Sequence, residues 1–187
     1  EGAVLCSGYG AMNQAGLICA MSLVLAEKCG VKDDEVKAAI QRSLIFFSSY
    51  VNKGSIPYGC HRAWPVHADN GKSASCAVFL DLMKHKAGAT FFSKMATAAN
   101  AAERDKGHTG SFFNTLWGPL GAARAGDPAA AAQLKELRWL FELERKSDGS
   151  FVYQGNPGES GARNHKYGAW DCTGARILGL CTTRKKL

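Results

Sequence analysis

The chain has 187 residues, of which 46% are hydrophobic and 21% charged. That is enough for one domain with a sizeable core, and it is not the composition of a disordered segment. The net charge of +7, from 23 Lys and Arg against 16 Asp and Glu, suits acidic partners. No apolar run approaches the roughly 20 residues that a membrane-spanning helix needs.

In chain order, apolar residues recur at helical spacing. Residues 11–29 predict a first helix, with Met12, Leu17, Met21, Val24 and Leu25 on one face and Gly30 as its stop. Asp33 or Asp34 caps a second, which carries Val36, Ile40, Leu44, Phe47 and Tyr50. A polar and aromatic loop follows to Asn70. A third helix spans about Lys72–Lys86, a fourth Thr90–Arg104 and a fifth Ser111–Ala125, with Pro119 expected to kink it or end it early. Pro128 opens a sixth helix that reaches Lys146 through Leu134, Leu137, Leu140, Phe141 and Leu143. A Gly-rich loop then leads to a seventh, from Tyr167 to Thr182. Strand signal is almost absent. The expected class is all-α, built of helical hairpins.

A weak internal repeat supports hairpins. Lys53-Gly54-Ser55-Ile56-Pro57-Tyr58 resembles Asp148-Gly149-Ser150-Phe151-Val152-Tyr153, and each follows a long amphipathic helix. Small residues mark the starts at Gly8–Asn13, Asn70–Ala74, Gly107–Ser111 and Tyr167–Asp171, where they let helices pack closely. Stacked hairpins form a solenoid or close into a ring.

The C-terminal Arg184, Lys185 and Lys186 read as a solvated end, with attraction to a polyanion as the functional alternative. Nucleic acid is an unlikely partner, because no aromatic–basic interleaving, recognition helix or zinc finger is present. The seven cysteines contain no CxxC, so a zinc ribbon is not expected, and those in helical contexts read as buried hydrophobes. Without an initiator Met or a signal-peptide layout, residue 1 reads as a cut within a longer protein. The compartment is open, with a lean to outside the cytoplasm.

An ordered set of phrases runs through the chain. It comprises Gly8-Tyr9-Gly10 with Asn13-Gln14-Ala15-Gly16, Ile56-Pro57-Tyr58-Gly59, Asp69-Asn70-Gly71-Lys72, Gly107-His108-Thr109-Gly110 with Phe112-Phe113-Asn114, Asp148–Gly155 and Trp170–Ala175. Together they resemble the DUF6288 family of bacterial proteins, over nearly the whole chain. That resemblance implies one α/α-toroid domain over residues 1–187, related in architecture to terpenoid cyclases, prenyltransferases and LanC-type cyclases. It implies no activity. The Asp-x-Asp-Asp motif of the cyclases is absent. A closed ring takes about ten to twelve helices, so seven make a partial ring or need others to complete it.

In a hairpin toroid, helix starts on one rim face a common cavity. The residues expected there are His61, His67, Asn70, Lys72, His108, Asn114, Asn164, His165, Tyr167, Trp170 and Asp171, with Trp64 and Trp117 able to stack on sugar rings. An acidic polysaccharide or a peptide suits such a cavity. The stretch Asn164-His165-Lys166-Tyr167-Gly168-Ala169-Trp170 resembles the Asn-His-x-Tyr-x-x-Trp stretch of α/α-toroid alginate lyases. That likeness implies β-elimination, in which Asn164 neutralises a uronate carboxylate, His165 or Tyr167 handles the proton, and Arg62, Arg163 or Arg176 holds the sugar acid; His108 joins this catalytic set. Zinc is an alternative: Cys60, His61, His67, His108 and His165 are competent ligands, and LanC-type toroids hold zinc with Cys and His, but no spacing here is diagnostic, so no metal ligand is assigned. Nucleophilic use of Cys60 or Cys172 needs a base within reach. A last reading is a structural module that docks other domains of its parent protein.

Overall fold

The computed structural model describes residues 4–6, 10–68, 70–104, 112–153 and 170–183, most of them in helices. Two short strands come first, β1 (Val4–Cys6) and β2 (Gly10–Met12), paired antiparallel. The helices are α1 (Asn13–Lys28), α2 (Asp34–Ser48), α3 (Lys72–Leu82), α4 (Lys86–Ala98), α5 (Ala101–Arg104), α6 (Phe112–Ala122), α7 (Asp127–Glu144) and α8 (Thr173–Leu180). The strands are the departure from an all-helical reading, and three residues are too few for an alternating pattern to show.

Local chemistry sets most boundaries. Gly30, at φ +102°, follows the end of α1, in the left-handed region that glycine enters without cost. Asp33 caps α2, its Oδ1 accepting the N–H groups of Glu35 at 2.7 Å and Val36 at 3.1 Å. The fourth helix begins earlier than its sequence suggests, at Lys86, because His85 Nδ1 accepts the Gly88 N–H at 3.1 Å. It also ends earlier. Asn100 Oδ1 accepts the Glu103 N–H at 3.0 Å and starts the separate turn α5. Pro119 lies inside α6, buried against α8 at Gly179; the helix ends at Ala122, short of the expected Ala125, and Ala123–Ala125 form a 3-10 turn. The expected start of the last helix at Tyr167 lies outside the described residues, and α8 begins at Thr173.

The helices form two layers. In one, α1, α3, α6 and α8 lie side by side in that order; in the other, α2 packs on α1 and α3, α4 on α3 and α6, and α7 on α6 and α8. Successive members of the first layer run the same way. Along α6 and α8 the contacts pair Phe112 with Trp170, Thr115 with Arg176 and Pro119 with Gly179. The turns at 29–33, 83–85 and 123–126 therefore lie at one end of the row, and the starts of α1, α3, α6 and α8, with the described parts of the longer connections before α3, α6 and α8, at the other.

Helix α3 is the hub. Every residue from Lys72 to Leu80 is buried, as expected of a helix without a polar face. Its small side chains let α6 come close: a Cβ on Gly121 would sit 2.7 Å from the Cα of Ala74. Leu17, Val24, Ile40, Phe47, Phe79 and Phe92 fill the main core, with Phe47 edge-on to Phe79. Leu137, Phe141, Phe151, Tyr153 and Cys172 make a second, smaller cluster. Two expected core residues stay outside: Leu25 is 48% exposed and Leu143 65%. No helix among the described residues is long and apolar enough to cross a membrane.

Candidate functional site

Polar and aromatic contacts link the starts of all four first-layer helices at the long-loop end. At α1, the fully buried Asn13 donates from Nδ2 to Pro57 O (2.9 Å) and Gly59 O (3.0 Å), and its N–H donates to Tyr58 O (3.0 Å). Three bonds thus fix the 57–59 strap across the helix start. The Tyr58 ring lies 5.3 Å from Lys72 Nζ, at the first turn of α3. Asn114, in the first turn of α6, accepts the Gly71 N–H at 2.7 Å and donates to Arg104 O at 2.7 Å. The Phe112 ring then meets Trp170 edge-on at 5.7 Å, beside α8.

Two of these positions adopt the left-handed backbone. Asn70 has φ +52° and Gly71 +74°, and a Cβ at Gly71 would lie 2.5 Å from Phe113 O. Only glycine fits so close to another backbone. This turn presents Lys72, which is 0% exposed, and Asn70, which is 2% exposed. Among the described residues, neither Asn70 Oδ1 nor Asn13 Oδ1 receives a hydrogen bond. A buried acceptor without a donor costs about 1–3 kcal/mol, so one of them at the start of α1 and another just before α3 are unusual features of this end.

The other expected residues divide between display and scaffolding. His61 is exposed and lines a groove of about 490 Å³ with Tyr50, Lys53 and Arg62; its carbonyl accepts the Tyr50 hydroxyl at 3.2 Å. Burial, and next the negative charge of a Cys60 thiolate, push the Tyr50 phenol up. Trp64 is 38% exposed and closes its loop through two backbone bonds to Ser55. His67 is tied to α5: its N–H donates to Glu103 Oε1 at 3.1 Å, and Nδ1 lies 3.2 Å from the same oxygen. Burial works against the Glu103 charge, but the bonds from His67 and Asn100 outweigh it and hold the carboxyl below its ordinary value. Asn114 is a cross-brace between α3, α5 and α6. Asp171 Oδ1 accepts the Thr173 N–H at 2.9 Å and starts α8; that bond and a second from the Thr173 hydroxyl keep its carboxyl low. His108, Asn164, His165 and Tyr167 lie outside the described residues.

Two chemical expectations need correction. Arg176, considered for holding a sugar acid, is fully buried and committed to Glu144, with Nε at 2.5 Å from Oε2 and Nη2 at 2.7 Å from Oε1. Of the cysteines read as buried, Cys76 and Cys172 are, but Cys19, Cys29 and Cys181 are exposed. Cys172 is no nucleophile: burial pushes its thiol up to about 11, and the thiolate is the reactive form. Native protein at pH 8 should therefore alkylate with iodoacetamide at Cys19, Cys29, Cys60 and Cys181 and spare Cys76 and Cys172; labelling of Cys172 at the rate of Cys181, read by peptide mass spectrometry, would contradict this placement. His108 and His165, two of the possible zinc ligands, lie outside the described residues; among those described, no three His, Cys, Asp or Glu side chains come together as a ligand set.

Sequence reasoning missed the roles of Asn13 and Tyr58. Both stand in the quoted phrases, but nothing in a sequence says that residue 13 grips residues 57 and 59. No curated protein and no solved structure matches the chain. The family model described as a domain of unknown function, DUF6288, matches residues 2–187, and the chain belongs to that family.

Proposed function

We propose that the long-loop end is a ligand-binding rim, one arc of an α/α-toroid, and that its ligand is an acidic polymer, an oligouronate before a peptide. The observation that carries this reading is the buried Lys72 at the first turn of α3, over the Tyr58 ring and beside Asn70. A cation at a helix N-terminus opposes the helix dipole. Helix end and ammonium together favour an anionic group. The Oδ1 atoms of Asn13 and Asn70 suit donors, and sugar hydroxyls supply them next to a carboxylate. The exposed indoles of Trp64 and Trp170 offer stacking faces of the kind that sugar rings use. The excess of basic charge works in the same direction.

Calorimetric titration tests this with a short oligouronate and a neutral oligosaccharide of equal length. The oligouronate should bind and the neutral sugar should bind much more weakly. Lys72→Met, nearly isosteric and checked for folding by circular dichroism, should weaken oligouronate binding by at least about tenfold, or 1.4 kcal/mol. Unchanged affinity in a folded Lys72→Met variant counts against the rim.

A second reading is a lyase at the same rim. The edge-on contact of Trp170 with Phe112, and the bond from Tyr153 N–H to Trp170 O at 2.9 Å, favour it, because Trp170 ends the lyase-like stretch. Asn164 would neutralise the uronate carboxylate. His165 or Tyr167 would take the C5 proton as the C4–O bond breaks, leaving a C4–C5 double bond and a protonated leaving oxygen. Ultraviolet absorbance of unsaturated uronate on incubation with the polymer separates this from simple binding.

A further inference from the structure

The face of α7 and α8 turned away from α6 carries an apolar groove of about 430 Å³. Leu134, Phe141, Phe151 and Leu180 line its floor, and Lys135, Arg138, Arg145 and Glu142 its lips. Around it α8 leaves Ile177 50%, Leu178 49% and Leu180 43% exposed. An apolar groove with exposed aliphatic side chains on the same helix marks a binding face more often than bare solvent contact. Within the row, each helix is covered by the hairpin that follows it: α1 meets α2 and α3, α3 meets α4 and α6, and α6 meets α7 and α8. Among the described residues the two ends of the row stay open, α1 with Ile18 39% and Leu25 48% exposed and α8 with this groove. In this architecture, what covers such a flank is a helix.

The lips say what kind of helix. Three side chains are cationic and one is anionic. The anion, Glu142, is already engaged by Arg138 at 3.7 Å. Lys135 and Arg145 have no ion-pair partner among the described residues. We propose that this groove docks an amphipathic helix of a partner protein, with leucine-type side chains entering between Phe141 and Leu180 and carboxylates bordering the apolar stripe to meet Lys135, Arg138 and Arg145. The surface lies on the flank of the last described hairpin. It is independent of the rim, so either site can fail without the other.

The test uses two labelled synthetic helical peptides with the same leucine stripe, one bordered by Glu and one by Lys, titrated against the whole chain by fluorescence anisotropy at low salt. The Glu peptide should bind at least about tenfold more tightly than the Lys peptide. Leu180→Asp should abolish binding, and Arg138→Glu with Arg145→Glu should reverse the preference; all three residues lie on the surface, and circular dichroism confirms that the variants fold. Absence of binding by both peptides, equal binding of the two, or Glu-peptide binding untouched by Leu180→Asp overturns the proposal. So does a concentration-dependent dimer in sedimentation that Leu180→Asp dissolves, because the occupant is then a second copy of the chain.

Discussion

Replacing Arg176 by Met lowers the stability of the fold by about 3–5 kcal/mol, the largest single loss expected outside the apolar core. The side chains of Arg176 and Glu144 are both 0% exposed. Two charge-assisted bonds join them, and Nη1 donates a third to Thr115 Oγ1 at 2.9 Å. The guanidinium also lies 5.7 Å from the centre of the Phe112 ring and 5.5 Å from that of Phe141. One side chain therefore holds α6, α7 and α8 together. The loss does not arise because the pair itself is strongly stabilising; desolvation takes back most of what the attraction gives. It arises because Met leaves the Glu144 carboxylate buried with no cation beside it. Changing both residues, to Met and Leu, should thus recover much of the loss. Denaturant midpoints for the single and double variants measure this, and a double variant no more stable than the single would contradict it.

Asn114→Ala is the second large effect. Its amide satisfies two backbone groups, the Gly71 N–H and the Arg104 carbonyl. Each buried group left unsatisfied costs about 1–3 kcal/mol. Gly71 cannot relax inward, since its turn already lies against the Phe113 carbonyl. Asn114→Asp separates the two halves: it keeps the acceptor for Gly71 and removes the donor to Arg104, so it should fall between the wild type and Ala. Thermal unfolding followed by circular dichroism gives the order. Equal melting temperatures for Ala and wild type would mean that Asn114 is not the brace between α3 and α6.

The helices were legible because their cores repeat at helical spacing: Ile40 and Phe47 on α2, and Leu137, Leu140 and Phe141 on α7, are buried as that spacing predicts. Leu25 and Leu143 follow the same pattern and are exposed, because periodicity identifies an apolar face without saying whether another element covers it. Boundaries failed where a single side chain decided them, as with the ring of His85 at the start of α4 and the amide of Asn100 at the start of α5. At the rim, residue type pointed to Lys72, Asn70 and Trp170, all of which stand at helix starts. It missed the bonds that Asn114 makes to backbone, and it gave the wrong role to Arg176, whose guanidinium is committed to Glu144. Both errors have the same physical root: a long-range partner 30 or more residues away is invisible to local pattern, as the separations of 43 for Asn114 and Gly71 and 32 for Arg176 and Glu144 illustrate.

The most direct test of the rim is backbone amide shift mapping of the intact chain during titration with a short oligouronate. The account predicts saturable shifts at Asn13, Tyr58, Asn70, Gly71, Lys72 and Trp170, with little change at the short-turn end around Gly30, Lys84 and Gly126. Shifts clustered at the short-turn end, or none at ligand concentrations well above a millimolar Kd, would contradict it.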